Sequence, residues 1–197
     1  MTKEEIEKLG RINKWIRQKA KRYGFAKMNN DLYYLKNDLI FRCSFDIRPQ
    51  SDNFTSTVSV RFKPFCCDRL LSEITGAYAP NGLSDYLSQD NLAPWYSFAS
   101  YSFSHIVADD DSIDVFFKDL LLRIDDICGK YTDIDSFLSD VKKDPGMALT
   151  TMLCYLEKND RKEAMAVFDW IEKDDLLSYS KYMSALLRGR ISEYFSK

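Results

Sequence analysis

Nucleophilic catalysis by a Cys–His pair would depend on the one histidine and the five cysteines of this sequence. The cysteines are Cys43, Cys66, Cys67, Cys128 and Cys154. A Cys–His pair would require the fold to bring Cys66 or Cys67 beside His105. A catalytic cysteine needs an exposed, electropositive setting, and the sequence shows none. We therefore expect His105 to be a packed or edge residue of a strand, and we predict no catalytic residue.

Metal and phosphate sites also lack their usual sequence patterns. Structural zinc requires pairs of ligands about two to four positions apart, which the adjacent Cys66 and Cys67 do not supply. The acidic run Asp109–Asp111 with Asp114 lacks the glycine and the closing glutamate of a calcium-binding loop, and it suits the start of a helix. No glycine-rich phosphate loop is present. We therefore predict neither a metal nor a cofactor.

A basic surface is predicted from the polar positions of two strands. Its candidate anion-binding residues are Arg42, Arg48, Arg61 and Lys63. The basic helix end Lys19–Arg22 is expected nearby, and such a sheet face could bind an anion or a nucleic acid in the manner of RNA-binding sheets. A solvated sheet face is the favoured interpretation, because Asp46 interrupts the positive charge.

An aromatic surface is predicted in and beside the irregular segment 77–94, which contains Pro, Gly and Asn residues. Its candidate partner-binding residues are Tyr78, Tyr86, Trp95, Tyr96 and Phe98. Tyrosine and tryptophan are enriched among the residues that anchor protein interfaces, and long irregular segments within a domain are often functional. We hypothesise that this segment binds a protein partner. The alternative is that its rings cap the core.

The elements that must position these residues follow from periodicity. Apolar residues recur at spacings of three and four from Ile6 to Ala20, which predicts an amphipathic helix capped by Thr2 and ended by Gly24. Alternating apolar and polar residues predict strands, and Asn37-Asp38 is predicted to form a two-residue hairpin turn. The predicted strands are 32–36, 39–48, 54–63 and 95–107, the last with a bend. A short helix at 67–75 precedes the last strand.

The remainder of the chain has apolar residues at helical spacing only. The predicted helix starts are Asp111 or Ser112, Thr132, Asp144, Asp160, and Asp174 or Asp175. Gly129 is expected to end the first of these helices. An N-terminal helix, an antiparallel sheet of about four strands and a helical C-terminal half indicate an α+β fold. We expect residues 1–110 to form a sheet domain and residues 111–197 a helical region packed on it, in one continuous domain.

Composition argues against several classes of protein. The net charge of −2 provides no overall attraction to nucleic acid. The first residues are charged where a signal peptide would be apolar, and no window approaches the roughly 20 apolar residues of a membrane span. An odd number of cysteines without CxxC spacing is typical of reduced thiols. We therefore predict a cytoplasmic protein with no membrane association, and we disfavour nucleic-acid binding.

A family resemblance lies in the N-terminal part of the chain. A helix ending in a Gly-Phe turn, Trp15–Phe25, is followed by Leu32–Tyr34 and by the strand patterns Leu39–Ile47 and Thr57–Phe62. These segments resemble the uncharacterised bacterial domain-of-unknown-function family numbered 4304, in which such a helix precedes a small antiparallel sheet. The resemblance covers about a third of the chain and implies a fold pattern, without catalytic residues or an activity.

The function that these observations favour is that of an intracellular binding or interaction protein of bacterial type. One version is an immunity-type or regulatory protein that neutralises a protein partner by surface contact. The first alternative is an enzyme whose site is assembled from scattered Asp, Tyr and Cys residues. The second alternative is a weak nucleic-acid binder that uses the polar sheet face. The sequence leaves the partner and the oligomeric state open.

Overall fold

The computed structural model describes residues 2–28, 31–50, 53–76, 96–97, 103–107, 109–177 and 181–196. Its helices are α1 (Lys3–Arg22), α2 (Phe65–Thr75), α3 (Asp110–Lys130), α4 (Ile134–Val141), α5 (Ala148–Glu157), α6 (Arg161–Asp174) and α7 (Lys181–Ser196), with a 3₁₀ turn at Pro145–Met147. Its strands are β1 (Ala26–Met28), β2 (Asp31–Lys36), β3 (Leu39–Gln50), β4 (Asn53–Pro64), β5 (Tyr96–Ser97) and β6 (Phe103–Val107). The predicted α+β fold is confirmed.

Helix α1 begins and ends where the sequence predicts. The backbone N–H of Glu5 donates to Thr2 Oγ1 (3.2 Å) and that of Thr2 donates to Glu5 Oε2 (2.6 Å), so both orphan donors are satisfied in a capping box. After the helix, Gly24 has a φ of +81°, a left-handed conformation that favours glycine. The N–H of Phe25 donates to Ala20 O (2.9 Å), and the chain reverses into β1.

The sheet has the strand order β1-β2-β3-β4-β5, and β6 also pairs with β4. Strand β2 pairs antiparallel with both β1 and β3. The β2–β3 connection consists of Asn37 and Asp38, whose φ values of +49° and +57° define a type I′ turn. The predicted two-residue turn is therefore confirmed. β1, which the sequence pattern did not predict, extends the sheet beyond β2.

The left-handed turn residue Asp38 gives a test of the hairpin. We expect Asp38→Gly to raise the free energy of unfolding by up to about 1 kcal/mol, because glycine has no Cβ to strain at positive φ. Asp38→Ala should lower it instead, since alanine lacks the aspartate's tolerance of this region. Urea unfolding followed by circular dichroism measures both, and equal midpoints for the two variants would contradict the expectation.

The chain forms two compact units that interleave along the sequence. Unit 1 consists of Met1–Phe62 and Ser97–Lys130, and unit 2 consists of Lys63–Tyr96 and Tyr131–Lys197. Each unit therefore joins two separate segments of chain. That residues 111–197 pack on the sheet stays a prediction.

Unit 1 is built around helix α3, which packs aromatic residues against the α1–β1 reversal. The ring of Phe117 stacks on Tyr23 with centroids 5.3 Å apart and contacts Phe25 at 5.6 Å. The helix is capped by Asp109, whose Oδ1 accepts from the N–H of Ser112 (2.8 Å), and not by Asp111 or Ser112 as predicted. It also runs through Gly129 to Lys130, because a glycine weakens a helix without having to end it.

Unit 2 contains helices α2 and α4 to α7. Asp144 and Asp160 cap helical turns as predicted, whereas the cap of α4 is Asp133, one residue after the predicted Thr132. Asp175 does not open a helix: it ends α6 in a left-handed conformation, and α7 begins at Lys181. Its buried apolar side chains include Cys67, Leu71, Met152, Leu153 and Ile171.

Candidate functional site

Unit 1 contains a cavity of about 260 Å³ that is open to solvent. It is lined by side chains from α1, β1, β2 and β3. The apolar lining residues are Leu9, Ile16, Leu32, Phe45 and Ile47. The polar lining residues are Asn13, Arg17 and Lys27. The cavity therefore combines an apolar wall with two basic side chains and one amide.

Helical and strand periodicity place these residues together. On α1, positions 9, 13, 16 and 17 follow the i, i+4, i+7, i+8 spacing of a single helix face. In the sheet, Lys27 pairs with Leu32, and Leu32 pairs with Cys43. Residues two and four positions after Cys43 on β3, namely Phe45 and Ile47, point to the same face as Cys43.

The two cations of the cavity, Arg17 and Lys27, have no counter-charge within the described residues. Among the residues that the structure describes, no carboxylate forms an ion pair with Arg17 or Lys27, and no acidic residue lines the cavity. Lys27 is largely exposed; the partial loss of its hydration lowers its pKa, and the positive charge of Arg17 lowers that pKa further. The cavity is therefore a place where an anion would relieve an existing repulsion.

Lys19, another basic residue of unit 1, is neutralised by carboxylates. Lys19 Nζ lies 2.8 Å from Asp110 Oδ2 and also donates to Asp114, and Tyr23 Oη donates to Asp114 Oδ1 (3.0 Å). The hydrogen bonds that Lys19 donates to Asp110 and Asp114 raise the pKa of Lys19. The Lys19 ammonium in turn lowers the pKa of Asp114. Lys19 therefore links α1 to α3 and is not available to an external anion.

The predicted anion-binding residues differ in their exposure and in whether they form an ion pair. Arg42 Nη2 lies 2.6 Å from Asp31 Oδ2, Arg48 Nη2 lies 2.6 Å from Asp46 Oδ2, and Arg61 is exposed. The placement of Lys63 on an exposed polar face is wrong, because its side chain is 0% exposed. Strand alternation fails there because β4 ends at the next residue, Pro64, and the chain turns into α2.

The predicted aromatic surface lies outside the residues that the structure describes. This holds for Tyr78, Tyr86, Trp95 and Phe98, and for the side chain of Tyr96, whose backbone forms part of β5. The backbone of His105 pairs with Ser56 in the β4–β6 ladder, and its side chain also lies outside the described set. The aromatic docking surface and the packed histidine stay predictions.

The five cysteines are free thiols, and the surroundings of Cys43, Cys66 and Cys67 oppose ionisation. Burial raises the pKa of Cys43 and of Cys67, and a hydrogen bond with Cys67 raises the pKa of Cys66. A thiol must ionise to act as a nucleophile or a metal ligand. Over the described part of the chain, no group of three or more His, Cys, Asp or Glu side chains is arranged to hold a metal ion.

Comparison of the chain with known protein families, with curated proteins and with solved structures finds no match. The resemblance to the bacterial family numbered 4304 therefore stays a prediction. Within the described ranges, no helix is both long enough and apolar enough to cross a membrane. The class that the structure itself defines is an α+β fold with a cationic, partly apolar cavity in unit 1.

Neither Arg17 nor Lys27 is among the site residues predicted from the sequence. Arg17 lies beside the apolar stripe of α1, four positions after Asn13. This spacing of two polar residues indicates that the helix face changes from apolar to basic at Arg17. Lys27 lies in β1, whose three residues are too few for an alternating pattern. The two cations meet only because the chain reverses between them.

Proposed function

We propose that this chain is a binding protein whose unit 1 cavity takes an anionic ligand with an apolar part. The observation that supports the proposal is the pair of cations, Arg17 and Lys27, that line an apolar cavity without a carboxylate among the described residues. Unlike Lys19, Arg42 and Arg48, these two form no ion pair with a carboxylate of the described part of the chain.

The chemistry of the two side chains suits a carboxylate or a similar oxyanion. A guanidinium presents parallel N–H donors that match a carboxylate, and an ammonium adds a compact positive charge. The apolar wall would contribute by burying hydrocarbon surface. Small-molecule sites commonly have volumes of about 300 to 1,000 Å³, so a cavity of about 260 Å³ fits a small ligand.

Binding is favoured over catalysis by the lining itself. Among the described side chains of the cavity, the amine of Lys27 is the one group that could act as a base or a nucleophile, and no carboxylate, histidine, hydroxyl or thiol lies in the lining to assist it. The thiols elsewhere in the chain have raised pKa values at Cys43, Cys66 and Cys67. The five free thiols support the further proposal that the protein acts in a reducing compartment such as the cytoplasm.

The proposal is tested by isothermal titration calorimetry with 4-phenylbutyrate and its neutral analogue 4-phenylbutanol. We expect saturable binding of the anion and weaker binding of the alcohol. Arg17→Gln and Lys27→Gln should each weaken 4-phenylbutyrate binding by about five- to tenfold, the loss of one charge-assisted hydrogen bond at a partly solvated site. The alcohol should be much less affected, because it lacks the charge that these residues bind.

Arg11→Gln is the matched control for these variants. Arg11 is exposed on α1 and does not line the cavity, so the same change of charge on the same helix should leave binding within about twofold. An equal loss of affinity in Arg11→Gln would show that only the net charge matters. Equal affinities for the anion and the alcohol would also contradict the proposal.

A further inference from the structure

The directions of α1 and β3 give the cavity two chemically different ends. The chain reverses between α1 and β1 at Tyr23–Phe25, so the helix and this strand run in opposite directions. β1 and β3 both pair antiparallel with β2, so β3 runs in the same direction as β1. The direction from Arg17 to Leu9 along α1 is therefore the direction in which β3 runs from its N-terminal to its C-terminal end.

The cations and the apolar residues separate along this axis. At one end, Arg17 stands near Lys27, which pairs with Leu32. At the other end, Leu9 lies eight positions earlier on the helix, which is about 12 Å at 1.5 Å per residue. On β3, Cys43 pairs with Leu32, and Ile47 lies four positions beyond Cys43. Four residues extend about 13 Å along a strand. The two lengths agree.

We infer that the ligand is an unbranched aliphatic carboxylate, bound with its carboxylate at Arg17 and Lys27 and its chain directed toward Leu9 and Ile47. This inference rests on the proposed function and names the class of ligand. The lining residues of α1 extend over about 12 Å along the helix, which exceeds the length of a compact anion, and the apolar end of the cavity is aliphatic on both the helix side and the strand side. A flexible chain can follow the wall, and its charged end stays at the solvated rim.

The chain-length dependence of binding tests the inference. Calorimetric titrations with butanoate, hexanoate, octanoate and decanoate, each below its aggregation concentration, should show affinity rising about two- to fourfold per added methylene. The lower limit allows for a chain that remains partly exposed in an open cavity. An affinity that does not change from butanoate to decanoate, with 4-phenylbutyrate still bound, would overturn the inference and leave the proposed function intact. Failure of all these anions to bind would overturn both.

A substitution at the apolar end of the cavity tests the binding of the ligand's aliphatic chain independently of the binding of its carboxylate. Leu9→Gln should weaken decanoate binding by about tenfold and leave butanoate binding within about twofold, because the short chain does not reach that end. Leu9 is only partly buried on α1, so the helix should tolerate the change, which circular dichroism checks. The matched control is Leu122→Gln on α3, where the side chain is 61% exposed and does not line the cavity. Equal losses for butanoate and decanoate in Leu9→Gln would contradict the orientation.

Discussion

Replacement of Asp68 by asparagine is expected to lower the free energy of unfolding by roughly 3 to 5 kcal/mol. Lys63 Nζ lies 2.8 Å from Asp68 Oδ1, and the two side chains are 0% and 6% exposed. Asparagine keeps the shape of the aspartate but removes its charge, so the Lys63 ammonium would remain in the interior without this countercharge. The expected loss of stability comes mainly from keeping a desolvated charge in the interior without this carboxylate, and not from the lost Lys63–Asp68 attraction alone.

The matched control is Asp46→Asn, which breaks an ion pair at the surface. Arg48 Nη2 lies 2.6 Å from Asp46 Oδ2, but the side chains are 78% and 54% exposed, so the loss of stability should be far smaller than for Asp68→Asn. Urea unfolding followed by circular dichroism compares the two variants. A double variant, Lys63→Met with Asp68→Leu, should be more stable than Asp68→Asn, because neither of the two charges is then buried. Similar losses for Asp68→Asn and Asp46→Asn would contradict the role of burial.

Truncation of Phe117 to alanine is expected to lower the free energy of unfolding by about 3 to 5 kcal/mol. The side chain is 0% exposed and fills the space between α3 and the reversal that joins α1 to β1. Truncation removes both its buried surface and its ring contacts with Tyr23 and Phe25, and aromatic pairs add about 0.5 to 1.5 kcal/mol beyond the area they bury. The neighbouring structure can close only part of the resulting void.

Two substitutions on α3 provide the comparison for Phe117→Ala. Phe117→Leu retains most of the volume and should recover more than half of the loss. Val115→Ala changes a side chain that is 56% exposed and should alter stability by no more than about 0.5 kcal/mol. Thermal and urea unfolding measure all three variants. A Phe117→Ala variant as stable as Val115→Ala would show that the ring does not hold the reversal in place.

Local features of the fold were predictable because their causes lie within a few residues. The capping box of Thr2 and Glu5, the left-handed Gly24 and the turn Asn37-Asp38 each depend on the backbone conformation of adjacent positions. The errors at the starts of α3 and α4 are of one to three residues, as with Asp109 in place of Asp111, whereas the start predicted at Asp174 or Asp175 lies several residues before Lys181. Several neighbouring polar residues could each serve as a cap, and the sequence alone does not decide among them.

The candidate site was not predictable, since its residues meet through tertiary structure. Arg17 and Lys27 lie on different elements, and their proximity depends on the reversal at Tyr23–Phe25. Periodicity indicates which face of an element is apolar, but it does not identify the neighbours of a polar residue. The same limit explains Lys63, whose partner Asp68 lies beyond the end of its strand. The sequence shows which residues are charged, but it does not show which of them have a countercharge nearby.

The interleaving of the two units means that no single cut in the gene separates them. A fragment that stops after Lys130 carries all of unit 1, but it also carries Lys63–Tyr96, which belongs to unit 2. The ribosome likewise completes unit 1 while most of unit 2 is still unsynthesised. Helix α2, whose buried side chains include Leu70, Leu71 and Ile74, is therefore made long before α5, the helix it packs against. The order of synthesis thus separates in time two helices that share one core.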